Sequence, residues 1–178
     1  MILKSWAEQL GKAHHAPDVI DLHVKDTVAA FFAGVRRKEG QALGELFGRR
    51  VDISERIAAA ASITRLSECD DIHLSSCVTP GAVVVPVALA LGGSRGEEEF
   101  NRAVAAGYAA GLCLGMAIGG AKALARGVWP TLLAAPLMAA VTASCLRGHD
   151  VDRLAHAMAL ALAGTSGRLG RPMGDLPS

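Results

Sequence analysis

The sequence predicts an all-α fold, a compact multi-helix bundle, and three observations lead there. Hydrophobic residues make up 51% of the chain but aromatic ones only 4%. The core must therefore be built from Ala, Val and Leu, which suits closely packed helices better than a half-exposed sheet. Apolar positions recur at helical spacing, as at Val24, Val28, Phe31, Phe32 and Val35. Helix start and stop residues bracket the apolar stretches. With 178 residues, no internal repeat and no low-complexity linker, the chain reads as a single domain over 1–178, with 165–178 as an irregular Gly/Pro-rich tail.

The elements follow in order. Pro17 opens a helix that runs to about Gly34. Asp52 with Glu55 reads as a capping box before a helix over 53–66. The stretch 67–80, S-E-C-D-D-I-H-L-S-S-C-V-T-P, fits neither helical nor strand period. Residues 81–91 read as helical, because Ala and Leu follow the Val run and no hairpin turn does. Ser94 with Glu97 suggests a second capping box, opening a long helix to about Ala125. Along it Gly107, Gly111, Gly115 and Gly119 recur every four residues, a flat stripe for close helix–helix contact. A further helix covers about 131–146. Asp150 or Asp152 caps the last one, which Gly164 ends.

Composition narrows the function. Net charge is +1, from 18 basic and 17 acidic side chains, so no basic excess exists to neutralise nucleic-acid phosphates. Cys69, Cys77, Cys113 and Cys145 form no CxxC pair and lie in apolar surroundings, which points to free thiols in a reducing cytoplasm. Lys4, Glu8 and Lys12 interrupt the start, so no apolar signal-peptide region forms there. Residues 103–121 and 128–146 lack charges and have the length to cross a bilayer. The first, however, is rich in Ala and Gly, and the second carries Pro130 and Pro136. Such compositions insert poorly, and buried helices of a soluble bundle explain both.

The ionisable residues concentrate in 67–80. Glu68, Asp70, Asp71 and His73 lie within six positions. A clustered carboxylate–imidazole group suits proton transfer near neutral pH. From spacing alone, capping of a helix or ordering of the loop is the better explanation of Asp70 and Asp71. As metal ligands, Asp71 and His73 lack a third partner at recognisable spacing, so no metal is expected. Trp129, between Val128 and Pro130, is suited to lining a cavity or to packing beneath the loop. Lys122 and Arg126 match the dipole at a helix C-terminus and are placed to face a carboxylate substrate. His14, His15, His149 and His156 read as turn, cap or surface residues, and Arg168 lies in the tail.

Three stretches carry a family resemblance: K-D-T-V-A-A-F-F-A-G at 25–34, D-D-I-H-L-S-S-C-V-T-P-G-A-V-V-V-P-V-A-L-A-L at 70–91, and R-G-V-W-P-T at 126–131. The first resembles a first-helix pattern of the MmgE/PrpD family, whose members include methylcitrate dehydratase and cis-aconitate decarboxylase. The second is similar, without gaps, to that family's D-D-T-H…H-P-S…V-V-P-A-A-L-A-L block, and the third to its R-G-F-H-P-T turn. The resemblance implies the family's helical domain, which in the family continues into a segment and then an α/β lid. Here the chain is expected to end before both.

The family's enzymes are dehydratases, decarboxylases or isomerases of small carboxylates, and most need no cofactor. Their site lies between helical domain and lid. Asp70, Asp71 and His73 match the motif. The family's first-block histidine falls on Thr79, the histidine of its turn on Trp129, the threonine of D-D-T-H on Ile72 and an upstream Asp on Glu68. The resemblance thus implies a pocket bounded by 68–79 and Trp129. Asp71 or His73 would handle the proton, with Asp70 and Glu68 beside them, and Thr79, Trp129, Lys122 and Arg126 would bind substrate. The acid/base set of the parent reaction is largely replaced.

Two readings follow. One is a diverged, shortened enzyme acting on a small oxygenated or carboxylate-bearing molecule by dehydration, decarboxylation, isomerisation or shape-guided cyclisation, in specialised metabolism. The other is a non-catalytic binding or partner subunit that keeps the scaffold. For both, a homodimer or a separately encoded lid-like partner is expected to cover the exposed apolar face. The glycine stripe is consistent with a dimer.

Overall fold

A computed structural model describes residues 2–13, 16–47 and 52–165, with the Phe47 side chain excepted. His14, His15, Arg168 and most of the expected tail fall outside the described residues. The described residues form α-helices and no named strand: α1 (Ile2–Leu10), α2 (Pro17–Val35), α3 (Lys38–Phe47), α4 (Ile53–Leu66), α5 (Gly81–Leu91), α6 (Glu97–Ala117), α7 (Ala121–Ala125), α8 (Pro130–Leu146) and α9 (Val151–Ala163). The all-α expectation holds. Two of these helices escaped sequence reading. α1 has only nine residues, and α3 carries Gly40 and Gly44, so neither shows a long apolar period.

The helices stack in layers. α6 and α8 form the centre, and α9 and α1 cover one side. α5 and α2 lie on the other side, with α4 and then α3 beyond. Leu137, Met138 and Val141 of α8 are fully buried, as are Val104 and Ala106 of α6 and Val84 and Val85 of α5. Among the described residues no helix is long and apolar enough to cross a membrane. The uncharged stretches 103–121 and 128–146 mostly form α6 and α8, apolar because they are central.

The glycine stripe is used inside the chain. A Cβ on Gly107 would come 2.1 Å from Thr142 Oγ1, one on Gly111 2.3 Å from Met138 Sδ, and one on Gly115 2.6 Å from Val78 Cγ2. All three glycines are buried against α8 and the segment before α5, so they offer no face to a second copy. The expected link between stripe and homodimer therefore falls away.

The expected helix to Ala125 is also corrected. α6 stops at Ala117, where Gly119 takes φ +99°. Gly119 N–H donates to Met116 O and Gly120 N–H to Gly115 O, the paired bonds of a Schellman stop. Gly119 thus ends the helix instead of extending the stripe.

The start signals divide. Asp52 caps α4, accepting from Ser54 N at 2.7 Å, and Asp150 caps α9, accepting from Arg153 N at 2.8 Å. Ser94 does not cap α6. Gly96 occupies that position without a side-chain bond, and Glu97, Glu98 and Glu99 meet the helix dipole in the first turn.

Candidate functional site

The segment joining α4 to α5 is a tightly tied loop, packed through Ser75, Ser76 and Val78 against Gly115 and Gly120 at the end of α6. His73 N–H donates to Val78 O at 2.9 Å, forming an isolated antiparallel bridge. Ser76 Oγ lies 2.9 Å from His73 Nδ1 and accepts from Val78 N–H at 3.3 Å. Thr79 is buried, with its N–H on Thr131 Oγ1 at 3.0 Å and its hydroxyl 3.1 Å from the same atom. This pair anchors the loop to the first turn of α8. Glu68 and Cys77 hold left-handed backbone conformations, at φ 56° and 53°.

Asp71 is where three elements converge. Its Oδ1 accepts from Gly81 N–H at 2.9 Å, capping α5 from ten residues upstream, since Pro80 at the N-cap has no side-chain acceptor. Its Oδ2 accepts from Tyr108 Oη of α6 at 2.8 Å and stands 2.9 Å from His23 Nδ1 of α2. The Asp71 side chain is 15% accessible and that of His23 35%. The His23 and Tyr108 rings pack at a 4.9 Å centroid distance, tilted by 53°. Burial pushes the Tyr108 phenol far above its usual range. The Asp71 charge adds to the rise, so the phenol remains a donor throughout the physiological range.

Because Nδ1 of His23 faces a carboxylate, the neutral ring carries its proton there and leaves the Nε2 lone pair free. No described residue bonds Nε2. The arrangement is a carboxylate-oriented imidazole, the form a general base takes.

Thr27 completes the group one turn along α2. It is 2% accessible. Its hydroxyl stands close enough to Tyr108 to ease the phenol's rise, yet it completes no hydrogen bond of normal geometry. Oγ1 is therefore an unpartnered buried atom. A Cβ on Gly81 would lie 2.5 Å from Thr27 Oγ1, 2.7 Å from Asp71 Oδ1 and 2.9 Å from Tyr108 Oη. The absent side chain at Gly81 is what lets these three oxygens converge.

The other residues singled out by sequence lie apart from this group. Asp70 has a fully inaccessible side chain whose Oδ1 accepts from Arg65 Nη1, and its Oδ2 has no partner. Glu68 is 81% exposed, its Oε1 4.0 Å from Arg65 Nη2. Arg65 also lies over the Trp129 ring, 5.7 Å from its centroid, a cation–π stack. One arginine thus gathers Glu68, Asp70 and Trp129. Lys122 is exposed on α7, and Arg126 donates from Nη2 to Ile118 O at 3.2 Å, tying α7 to the end of α6. Among the described residues no three His, Cys, Asp or Glu side chains are grouped to hold a metal ion.

A cleft of about 900 Å³ lies between α2, α3, α4 and α5. None of its lining residues comes from 68–79 or from Trp129, where a pocket was expected. It meets the Asp71 group through Thr27 instead. His23, Thr27 and Tyr108 were missed by sequence reading. The signals were slight: Tyr108 is the chain's single tyrosine, set in an uncharged helix where its hydroxyl needs a partner, and His23 and Thr27 share an i, i+4 face.

The matched family model is the MmgE/PrpD N-terminal domain, over residues 13–171. This chain belongs to the MmgE/PrpD family. The match covers the candidate site and all helices from α2 to α9, and it agrees with the all-α architecture. No curated protein and no solved structure is similar enough to be matched. In this MmgE/PrpD domain Asp71, in the D-D-I-H stretch, sits within the candidate site, while Thr79 bonds Thr131 and Trp129 stacks beneath Arg65.

Proposed function

We propose that this MmgE/PrpD domain is a proton-transferring lyase or isomerase acting on a small molecule with a carbonyl or carboxyl group. We further propose that it works in a reducing cytoplasm, which the free Cys69 and Cys113 on its surface support. The observation that carries the function is the bond pattern at Asp71: two donors and the His23 imidazole on one carboxylate, with Nε2 left free.

His23 is then the base. Its Nε2 takes a proton from the carbon next to the carbonyl, and the resulting imidazolium is balanced by Asp71. Return of that proton to another carbon gives isomerisation; its delivery to a departing hydroxide gives dehydration. Tyr108 and the Gly81 N–H hold Asp71 so that the imidazole cannot swing. His73, bonded to Ser76, is the second candidate for proton transfer from the loop. Asp70, paired with Arg65, and Glu68, largely solvated, act as supports in this reading. Lys122 and Arg126 are offered as carboxylate contacts on the strength of charge alone.

The test is solvent deuterium uptake by a panel of carbonyl and carboxylate compounds, followed by mass spectrometry. Wild-type protein is expected to catalyse exchange into at least one of them, and His23→Ala to slow it by about 10²–10⁴-fold. Equal exchange by His23→Ala sinks the assignment.

A second reading is supported by exposure. Leu22 and Ile72, the chain neighbours of His23 and Asp71, are 67% and 56% exposed, and Leu74 is 78% exposed. Such a collar suits a partner, either a second copy or a lid-like subunit, covering the site. Light scattering of the pure protein, with and without Ile72→Asp and Leu74→Asp, tests for the second copy.

A further inference from the structure

The cleft and the Asp71 group share one side of α2. His23, Thr27 and Phe31 follow one another at four-residue spacing, so they form a single stripe along the helix. Thr27 and Phe31 line the cleft, and His23 continues the stripe beyond it. α5 does the same. Gly81 abuts the Asp71 group, while Val85 and Leu89, four and eight residues on, line the cleft. The polar group therefore stands beside one end of the cleft, and Thr27 is the residue common to both.

The cleft wall has a definite chemistry. Val28, Phe31, Ile57, Ile63, Val85 and Leu89 supply apolar surface. Among the described residues, the polar side chains on it are Thr27, Thr64 and Arg56. The Thr64 hydroxyl is already used, donating to Ala60 O at 2.8 Å. Of these three, Thr27 has a buried hydroxyl without a bond. One arginine and one free hydroxyl do not match a compact molecule with several carboxylates, whose charges would each need a partner. The volume of about 900 Å³ lies within the range of small-molecule sites, roughly 300–1,000 Å³.

We infer that the substrate is a chain-bearing carbonyl or carboxyl compound, whose extended hydrocarbon part lies in the cleft between α2, α4 and α5 and whose polar end reaches Thr27 and His23. The inference rests on the proton-transfer reading, and it names the substrate class for that site. Gly81 lets Thr27, Asp71 and Tyr108 converge where the two halves meet, and Thr27 supplies the first polar contact the head group meets.

The test uses 11-(dansylamino)undecanoic acid on the whole chain, displaced by straight-chain carboxylates from butanoate to dodecanoate. Each added methylene is expected to tighten binding by about fourfold until the cleft is full. Ala60→Phe fills the cleft and is expected to weaken dodecanoate at least about tenfold while barely changing butanoate. Ala90→Phe, at an exposed position of the rim, repeats the test should Ala60→Phe not fold.

Affinity independent of chain length overturns the inference, as does unchanged dodecanoate binding in both variants. A dimer that Ala60→Phe dissociates, without chain-length dependence, assigns the cleft to a second copy and overturns it too. The two proposals separate cleanly. Chain-length dependence without deuterium exchange by any compound leaves the binding site and removes the enzyme. Exchange with short acids whose KM ignores chain length does the reverse.

Discussion

His23 Nδ1 stands 2.9 Å from Asp71 Oδ2, and the other oxygen of the same carboxylate caps α5 through Gly81 N–H at 2.9 Å. One side chain therefore orients the candidate base and secures a helix start. Asp71→Asn is expected to reduce proton exchange and also to lower stability, by about 1–2 kcal/mol. His23→Ala, at a partly exposed position, is expected to reduce exchange with a stability change under about 1 kcal/mol. Urea unfolding beside the deuterium assay checks this. Equal stability losses in the two variants would show that the pair is only a structural link.

Asp70 provides the contrast. Its buried side chain meets Arg65, which is 23% exposed, so removing the carboxylate charge leaves a partly desolvated guanidinium with only the solvated Glu68, at 4.0 Å, as a counter-charge. Asp70→Asn is expected to cost on the order of 3 kcal/mol, at the lower end for a broken buried pair because Arg65 still reaches water. Exchange activity per folded molecule should stay near that of wild type. Denaturant melts and an active-fraction titration at low temperature measure the two effects, and a specific loss of activity would return Asp70 to the chemistry.

The glycines facing other helices differ in what they meet. A Cβ on Gly34 would lie 1.9 Å from the Ile63 carbonyl oxygen, which is backbone, whereas one on Gly111 meets the Met138 side chain. Overpacking costs about 1–3 kcal/mol, against a gain of about 1 kcal/mol in helix propensity on replacing Gly with Ala. Gly111→Ala is therefore expected to be mildly destabilising and to be less harmful in a Met138→Ala background. Gly34→Ala should lie at the severe end, with no such rescue. A double-mutant cycle by thermal unfolding decides it.

The pair Lys4–Asp152, at 2.7 Å, ties α1 to α9 on the surface. The hydrogen bond and charge of Lys4 hold Asp152 below its ordinary 3.8, so that contribution is present above 3.8 and fades as pH falls through the lowered value. The hydrogen bond and charge of Asp152 hold Lys4 above its ordinary 10.5. Its contribution is complete below 10.5 and lost as pH rises through the raised value. Lys4→Gln is expected to destabilise slightly between these limits and to converge with wild type beyond them, as followed by amide exchange of α1. A constant gap from pH 2 to 12 would contradict the linkage.

The helices α2, α4, α5, α8 and α9, the caps at Asp52 and Asp150, and the run of ionisable side chains in 67–80 were legible in the residues. Each rests on local chemistry: apolar spacing, a carboxylate near free N–H groups, a run of ionisable side chains that no core absorbs. The termination at Gly119 was misread, because a glycine every four residues looks the same whether it packs or stops a helix. Only the paired bonds back to Gly115 and Met116 tell the two apart.

Family membership and the all-α class were thus set by sequence pattern alone, because both depend on periodicity and on motif order along the chain. What only tertiary structure decided is which groups meet. Asp70 and Asp71 are neighbours in sequence, yet one turns to Arg65 and the other to His23, Tyr108 and Gly81. No spacing rule separates them, because His23 and Tyr108, which draw Asp71 away from Arg65, come from helices distant along the chain. Their positions are set by how α2, α5 and α6 close around glycines too small to hold them apart.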